Sequence, residues 1–395
     1  MERDSLFLKC VITSSRACMT DSRYNYYFQY SVLKICWKLI ARADLFSLSL
    51  QNLQNLTIMD FSNCEFLTEV PDLSKMPNLE ELTLDNCTNL VEVHHSVGFL
   101  DKLKVLRFVE CSNLRSFPRS LKLRSLVVLM LEDCSGLENF PEIECKMEGL
   151  EYIGLRNTPI KELPSSVEYL IGLKELNLDG CENLMNLPSS IQQLQHLKRL
   201  HLNDCSKLVK FSKNAEDDIQ SMPSIVSTKE SEVSSSAELS IINDGSSSMV
   251  FPALRVLGTG NCLLSDSDFF TTLDCFSTME QLDLSGSSFV SLPSCMGGFL
   301  GLRCLKLDDC KQLQEILVLP PKMEEVYASG CISLERFSEV SKRFQFNTCE
   351  LPALEWIDLS RCHKLLENIG NDAENLILSQ VFLSLYLFMS THIVK

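Results

Sequence analysis

The stretch LKELNLDGCENLMNLPSSI, Leu173 to Ile191, sets Leu173, Leu176 and Leu178 ahead of Cys181, then Leu184 and Leu187 ahead of Pro188. The alternation Leu176, Asn177, Leu178 has the period of two that marks a strand, with both leucines on one face and Asn177 on the other. Leu184, Leu187, Ile191 and Leu194 are then spaced to bury the remainder of a turn, and Pro188-Ser189-Ser190 suits a bend leading into a short helical or irregular segment.

The same string recurs along the chain as L-x-x-L-x-L-x-x-C-x-x-L-x-x-L-P. Its first position is held by Leu56, Leu79, Leu103, Leu126, Leu150, Leu173 and Leu197, at alternating steps of 23 and 24 residues. After an interruption it resumes at Leu254, Met279, Leu302 and Met323, with a looser match at Leu354. A self-match at this period is the signature of leucine-rich repeats. The predicted fold is an α/β solenoid: a leucine-rich-repeat horseshoe with a parallel β-sheet on the concave face and short helical or irregular convex segments. One unit cannot bury its own leucines, so the units are stable only when stacked.

The register also explains the cysteines. Cys64, Cys87, Cys111, Cys134, Cys181, Cys205, Cys262, Cys310, Cys331 and Cys362 all occupy one repeat position, with Thr158 and Ser287 replacing it twice. Equivalent side chains on neighbouring strands lie about 4.7 to 4.9 Å apart, wider than the roughly 3.5 to 4.5 Å between Cβ atoms that a disulfide prefers. No C-x-x-C occurs, and the closest pair, Cys304 and Cys310, fits no common zinc spacing. The ladder therefore reads as packing: small, buried thiols filling the turn after each strand, unbridged and without metal, as suits a reducing compartment.

The sequence carries 395 residues, 45% of them hydrophobic, enough for a large core. Its formal charge of -16 disfavours nucleic acid and anionic membranes as partners. The N-terminal MERDSLFLKC, with Glu2, Asp4 and Lys9, makes a poor signal peptide, and Leu376 to Met389 falls short of the roughly 20 residues of a membrane span. An intracellular location, cytoplasmic or nucleo-cytoplasmic, is the expectation. Residues 1–45 show no repeat and suit a helical cap. Residues 46–211 form a first block of repeats, and the Ser- and acid-rich residues 212–249 a flexible island. Residues 250–348 form a second block, and 349–395 an irregular last repeat with a helical tail.

Catalytic motifs are missing from the sequence. There is no G-x-x-x-x-G-K-[ST] loop, no G-x-S-x-G elbow and no H-E-x-x-H. GTGNCL, Gly258 to Leu263, is half a dinucleotide fingerprint lying inside a repeat, and the adjacent His94 and His95 fall on a convex turn with no evident acidic partner. The expectation is a protein without enzymatic activity or cofactor. Function then belongs to the concave side chains. Aligning the units brings Val105, Arg107, Val109, Val128, Met130, Tyr152 and Arg156 into an apolar patch edged by arginine, a composition favoured at protein interfaces.

Met147 to Ile191, MEGLEYIGLRNTPIKELPSSVEYLIGLKELNLDGCENLMNLPSSI, resembles the leucine-rich-repeat region of plant intracellular resistance proteins of the TIR, nucleotide-binding class. So do the cysteine-free unit at Thr158 to Ser166 and LPPKMEEVYASGCISLE at Leu319 to Glu335. The resemblance covers about residues 53–211 and 251–380. It implies a part in pathogen recognition, the repeats binding an effector or a guarded host protein and restraining a nucleotide-binding module. No residue here matches that family's NADase or nucleotide-switch motifs. Two origins are consistent with this: a freestanding relative, or a fragment of a longer receptor. A general leucine-rich adaptor or ubiquitin-ligase substrate receptor is the alternative function.

Overall fold

The computed structural model describes residues 56–209, 251–263, 278–292, 294–338 and 355–369. Expectations for the cap, the island and most of the tail lie outside those residues.

The described residues contain a parallel sheet of 12 strands. Its strands are Ile58–Asp60, Glu81–Thr83, Val105–Arg107, Val128–Met130, Tyr152–Gly154, Glu175–Asn177, Arg199–His201, Val256–Gly258, Gln281–Asp283, Cys304–Lys306, Glu325–Tyr327 and Trp356–Asp358. Each is three residues long with its middle side chain turned inward, as Leu106, Leu129, Ile153 and Leu176 are. The pairing is in strict register, so that Leu106 is opposite Leu129, Leu129 opposite Ile153, and Ile153 opposite Leu176. Arg199–His201 pairs directly with Val256–Gly258, which joins the two blocks of repeats in one sheet.

Behind the sheet the apolar positions of the repeat form one core. In the opening unit Leu173, Leu178, Leu184, Leu187 and Ile191 are fully buried. The convex return is a 3-10 helix at His95–Phe99, Ser165–Tyr169, Ser189–Gln193 and Ser294–Gly298. Pro188, extended at φ -68 and ψ 147, starts the segment Ser189–Gln193 as the sequence suggested. Elsewhere pairs of two-residue strands run along the flank, such as Glu69–Val70 with Glu92–Val93. The helix His363–Ile369 closes the described part of the last unit.

Two further ladders tie unit to unit. The thiol ladder is more specific than a packing role requires: from Cys87 onward each Sγ–H donates to a carbonyl of the preceding unit. Cys87 reaches Phe61 O at 3.2 Å, Cys111 reaches Leu84 O at 3.0 Å, and Cys134 reaches Phe108 O at 2.9 Å. Cys181 reaches Leu155 O, Cys205 reaches Leu178 O, and Cys262 reaches Leu202 O. Cys310, Cys331 and Cys362 continue the series. All ten ladder cysteines are buried, and none is in a disulfide. Thr158 departs from it, donating to Leu155 O in its own unit at 2.7 Å while its Oγ1 lies 3.4 Å from Cys181 Sγ.

The second ladder precedes the first by one residue. Asn63, Asn86, Glu110, Asp133, Asn157, Gly180, Asp204, Asn261, Gly286, Asp309, Gly330 and Arg361 all have φ between 56° and 76°. Asparagine, aspartate and glycine adopt this left-handed conformation most readily, and they hold ten of the twelve places. The turn aims each N–H at the next unit: Asn157 N–H donates to Asp179 O at 2.8 Å and Gly180 N–H to Asn203 O at 2.7 Å.

Candidate protein-binding face

Because the strands pair in register, residues flanking each inward side chain stand in rows across the concave face. Val105, Val128 and Tyr152 share one row, and Arg107, Met130 and Gly154 the next. Val109 and Arg156 belong to the row beyond. Six of the seven anticipated patch residues are half-buried and Arg156 is exposed. The sheet therefore does bring Val105, Val128 and Met130 side by side, with Tyr152 and Val109 at their borders.

Arg107 stands within the patch and leans away from it. Its Nε and Nη2 lie 3.0 and 2.7 Å from Asp85 Oδ2, in the preceding unit. Asp85 Oδ1 in turn accepts the Val109 N–H at 3.1 Å. The guanidinium is thus held by a carboxylate that also fixes the strand end, and the valines and methionine are left uncovered. On the other side, the Tyr152 hydroxyl donates to Glu132 Oε1 at 2.7 Å. Gly154 makes this contact possible, since a Cβ there would lie 2.2 Å from Glu132 Oε1 and 3.0 Å from the Tyr152 ring. Burial, then the hydrogen bond and charge of Glu132, push the Tyr152 phenol well above its ordinary range. Tyr152 stays neutral at physiological pH, a fixed aromatic rim.

Arg156 completes the border beside Asp179. That carboxyl is raised by burial, against the lowering effect of the Asn203 N–H, His201 and Arg156. Asp85, Glu132 and Gly154 were not singled out from the sequence. Their signal was available in the aligned rows, but which way Arg107 and Tyr152 lean is set by side-chain direction, which the rows do not encode. His94 needs a correction: its Nδ1 lies 3.8 Å from Asp72 Oδ1, so it has an acidic neighbour after all. It also accepts the Ser96 N–H, capping the segment His95–Phe99, which gives it a structural task. Among the described residues no helix is long and apolar enough to cross a membrane.

Residues 109–240 match the model of a leucine-rich repeat region, and residues 213–349 match the leucine-rich repeats of disease resistance proteins like RPS4B. TMV resistance protein N of Nicotiana glutinosa is 32% identical over 72% of this chain and 26% of its own. The repeats are leucine-rich repeats like those of plant disease resistance proteins. Disease resistance proteins RPP2A and RPP5 of Arabidopsis thaliana are each 38% identical over 34% of the chain, and over 10% and 9% of their own lengths. The chain thus spans about a quarter or less of these curated relatives. Resistance-type leucine-rich repeats are protein-interaction modules, and it is as such a module that the concave rows are best understood.

Proposed function

We propose that the chain is a recognition module of plant defence, binding a pathogen effector or a guarded host protein through Val105, Arg107, Val109, Val128, Met130, Tyr152 and Arg156. The same face regulates the nucleotide-binding module of a related receptor, in the cytoplasm or between cytoplasm and nucleus, without catalysis of its own. The observation that carries the reading is the contiguous Val105, Val128 and Met130 surface on the concave face of the sheet. Two of its neighbours are immobilised, Arg107 on Asp85 and Tyr152 on Glu132. Side chains already ordered before binding lose little entropy on contact, which favours affinity.

The test is association. The full chain is co-expressed with candidate effectors and with nucleotide-binding modules of related receptors, as native protein and as the double variant Val128→Asp, Met130→Asp. Both positions flank inward residues and leave the core side chain Leu129 untouched. The reading expects a partner that binds the native chain and is lost at least tenfold in the variant. Equal binding by both forms would place the contact elsewhere.

A further inference from the structure

Toward the other end of the sheet the same face changes character. The strands Gln281–Asp283, Cys304–Lys306, Glu325–Tyr327 and Trp356–Asp358 pair in register, so Asp283, Lys306, Tyr327 and Asp358 form one row while Glu325 and Trp356 stand together in the adjoining one. Asp308 lies just beyond Lys306. Four carboxylates thus share this face with Lys306, whose Nζ is 3.9 Å from Asp283 Oδ2, and with Arg361, whose Nη2 donates to Ser329 Oγ at 3.3 Å.

The turns do not require this charge. Asp283 Oδ1 accepts the Ser285 N–H at 3.0 Å, Asp308 Oδ1 the Ser329 N–H at 2.8 Å, and Asp358 Oδ1 the Ser360 N–H at 2.9 Å. Asn177 Oδ1 accepts the Asp179 N–H at 3.0 Å within its unit, as Asp283 and Asp358 do, and Asn203 Oδ1 accepts the Gly260 N–H of the next unit at 2.8 Å, as Asp308 does, so a neutral amide would do. The charge is also costly. Burial, with the neighbouring Asp358, Asp283 and Asp309, holds the Asp308 carboxyl above its ordinary range. Burial and Glu325 raise the Tyr327 phenol likewise. Trp356 Nε1 is shielded from solvent and has no acceptor among the described residues. Groups that weaken the fold and that the local structure could replace are the kind retained for binding.

We propose that this face, built from Asp283, Asp308, Glu325, Tyr327, Trp356 and Asp358, docks a basic segment of another protein, one that presents lysine or arginine side chains. The carboxylates supply charge-assisted acceptors, and the two aromatic rings supply surfaces that cations favour. The surface is distinct from the Val128–Met130 patch: seven strand spacings separate the strands Val128–Met130 and Glu325–Tyr327, about 34 Å at about 4.8 Å each. Its partner can therefore differ, and it does not depend on the reading of that patch.

The full chain is titrated with fluorescein-labelled nona-lysine and nona-arginine peptides, and with nona-glutamate, by anisotropy at 0.15 M salt. The face variant is Asp308→Asn, Glu325→Gln, Asp358→Asn. A convex variant with the same charge change is Glu92→Gln, Glu144→Gln, Glu168→Gln, three exposed positions. The expected result is binding of both basic peptides by the native chain, at least a tenfold loss in the face variant and less than a twofold loss in the convex one. Indole fluorescence should change on binding and lose that change in Trp356→Phe. If the triple variant does not fold, Asp308→Asn alone should still weaken binding at least threefold. Equal losses in both variants would reduce the effect to the overall charge of the chain, and no binding by the native chain would show the face closed to such a partner. Either result overturns the proposal.

Discussion

Cys181 shows what a single side chain does in this fold. Its Sγ–H donates to Leu155 O at 3.2 Å, it is fully buried, and burial pushes its thiol up to about 11. A group so placed is a weak nucleophile at neutral pH. Iodoacetamide mapping of the native chain at pH 8 should therefore modify the half-exposed Cys145 well before Cys181. Cys181→Ala should cost on the order of 1 kcal/mol in thermal or denaturant unfolding, the size of a typical single-site loss. Asp308 carries the opposite sign. A carboxyl raised above its ordinary 3.8 binds more protons folded than unfolded, so it lowers stability as pH rises through the window between the two values. Asp308→Asn should raise the melting temperature at pH 7, and its advantage should vanish below about pH 3.8. A melting curve unchanged at pH 7 would remove the claim that this charge is held at a cost.

At the scale of one unit, the leucine and cysteine positions were legible because their spacing maps one-to-one onto burial. Leu176 and Leu178 face inward and Asn177 outward, as the period of two requires. The left-handed column was written just as plainly, in the Asn, Asp or Gly that usually precedes the cysteine, yet it is invisible to a hydrophobic pattern. Its demand is conformational. Gly180 shows its strictness: φ is +71°, and a Cβ would lie 2.1 Å from Asn157 Oδ1. Gly180→Val should cost about 1 to 3 kcal/mol, whereas Gly180→Asn, matching the Asn86 to Asn63 side-chain bond, should cost clearly less by equilibrium unfolding. The site was less legible than the fold. Rows predicted that Val105, Val128 and Met130 would adjoin, but the Arg107 to Asp85 and Tyr152 to Glu132 contacts join successive units and depend on how long side chains lean.

For the whole molecule, each unit is held chiefly by its neighbours, through the core, the strand pairing and the thiol and left-handed ladders. Damage in the middle should therefore spread. Leu176→Ala, at a buried central position, should cost about 2 to 5 kcal/mol, with loss of amide protection extending into the units on both sides in hydrogen exchange. Surface changes on the concave rows should leave that protection intact, which separates binding from folding. The most direct measurement is thus the affinity of the native chain and of Val128→Asp, Met130→Asp for an effector or nucleotide-binding module, taken alongside both melting temperatures. A loss of at least tenfold in affinity with melting temperatures within a few degrees is the expected result; unchanged affinity, or a loss that only accompanies unfolding, would contradict a binding site on these residues.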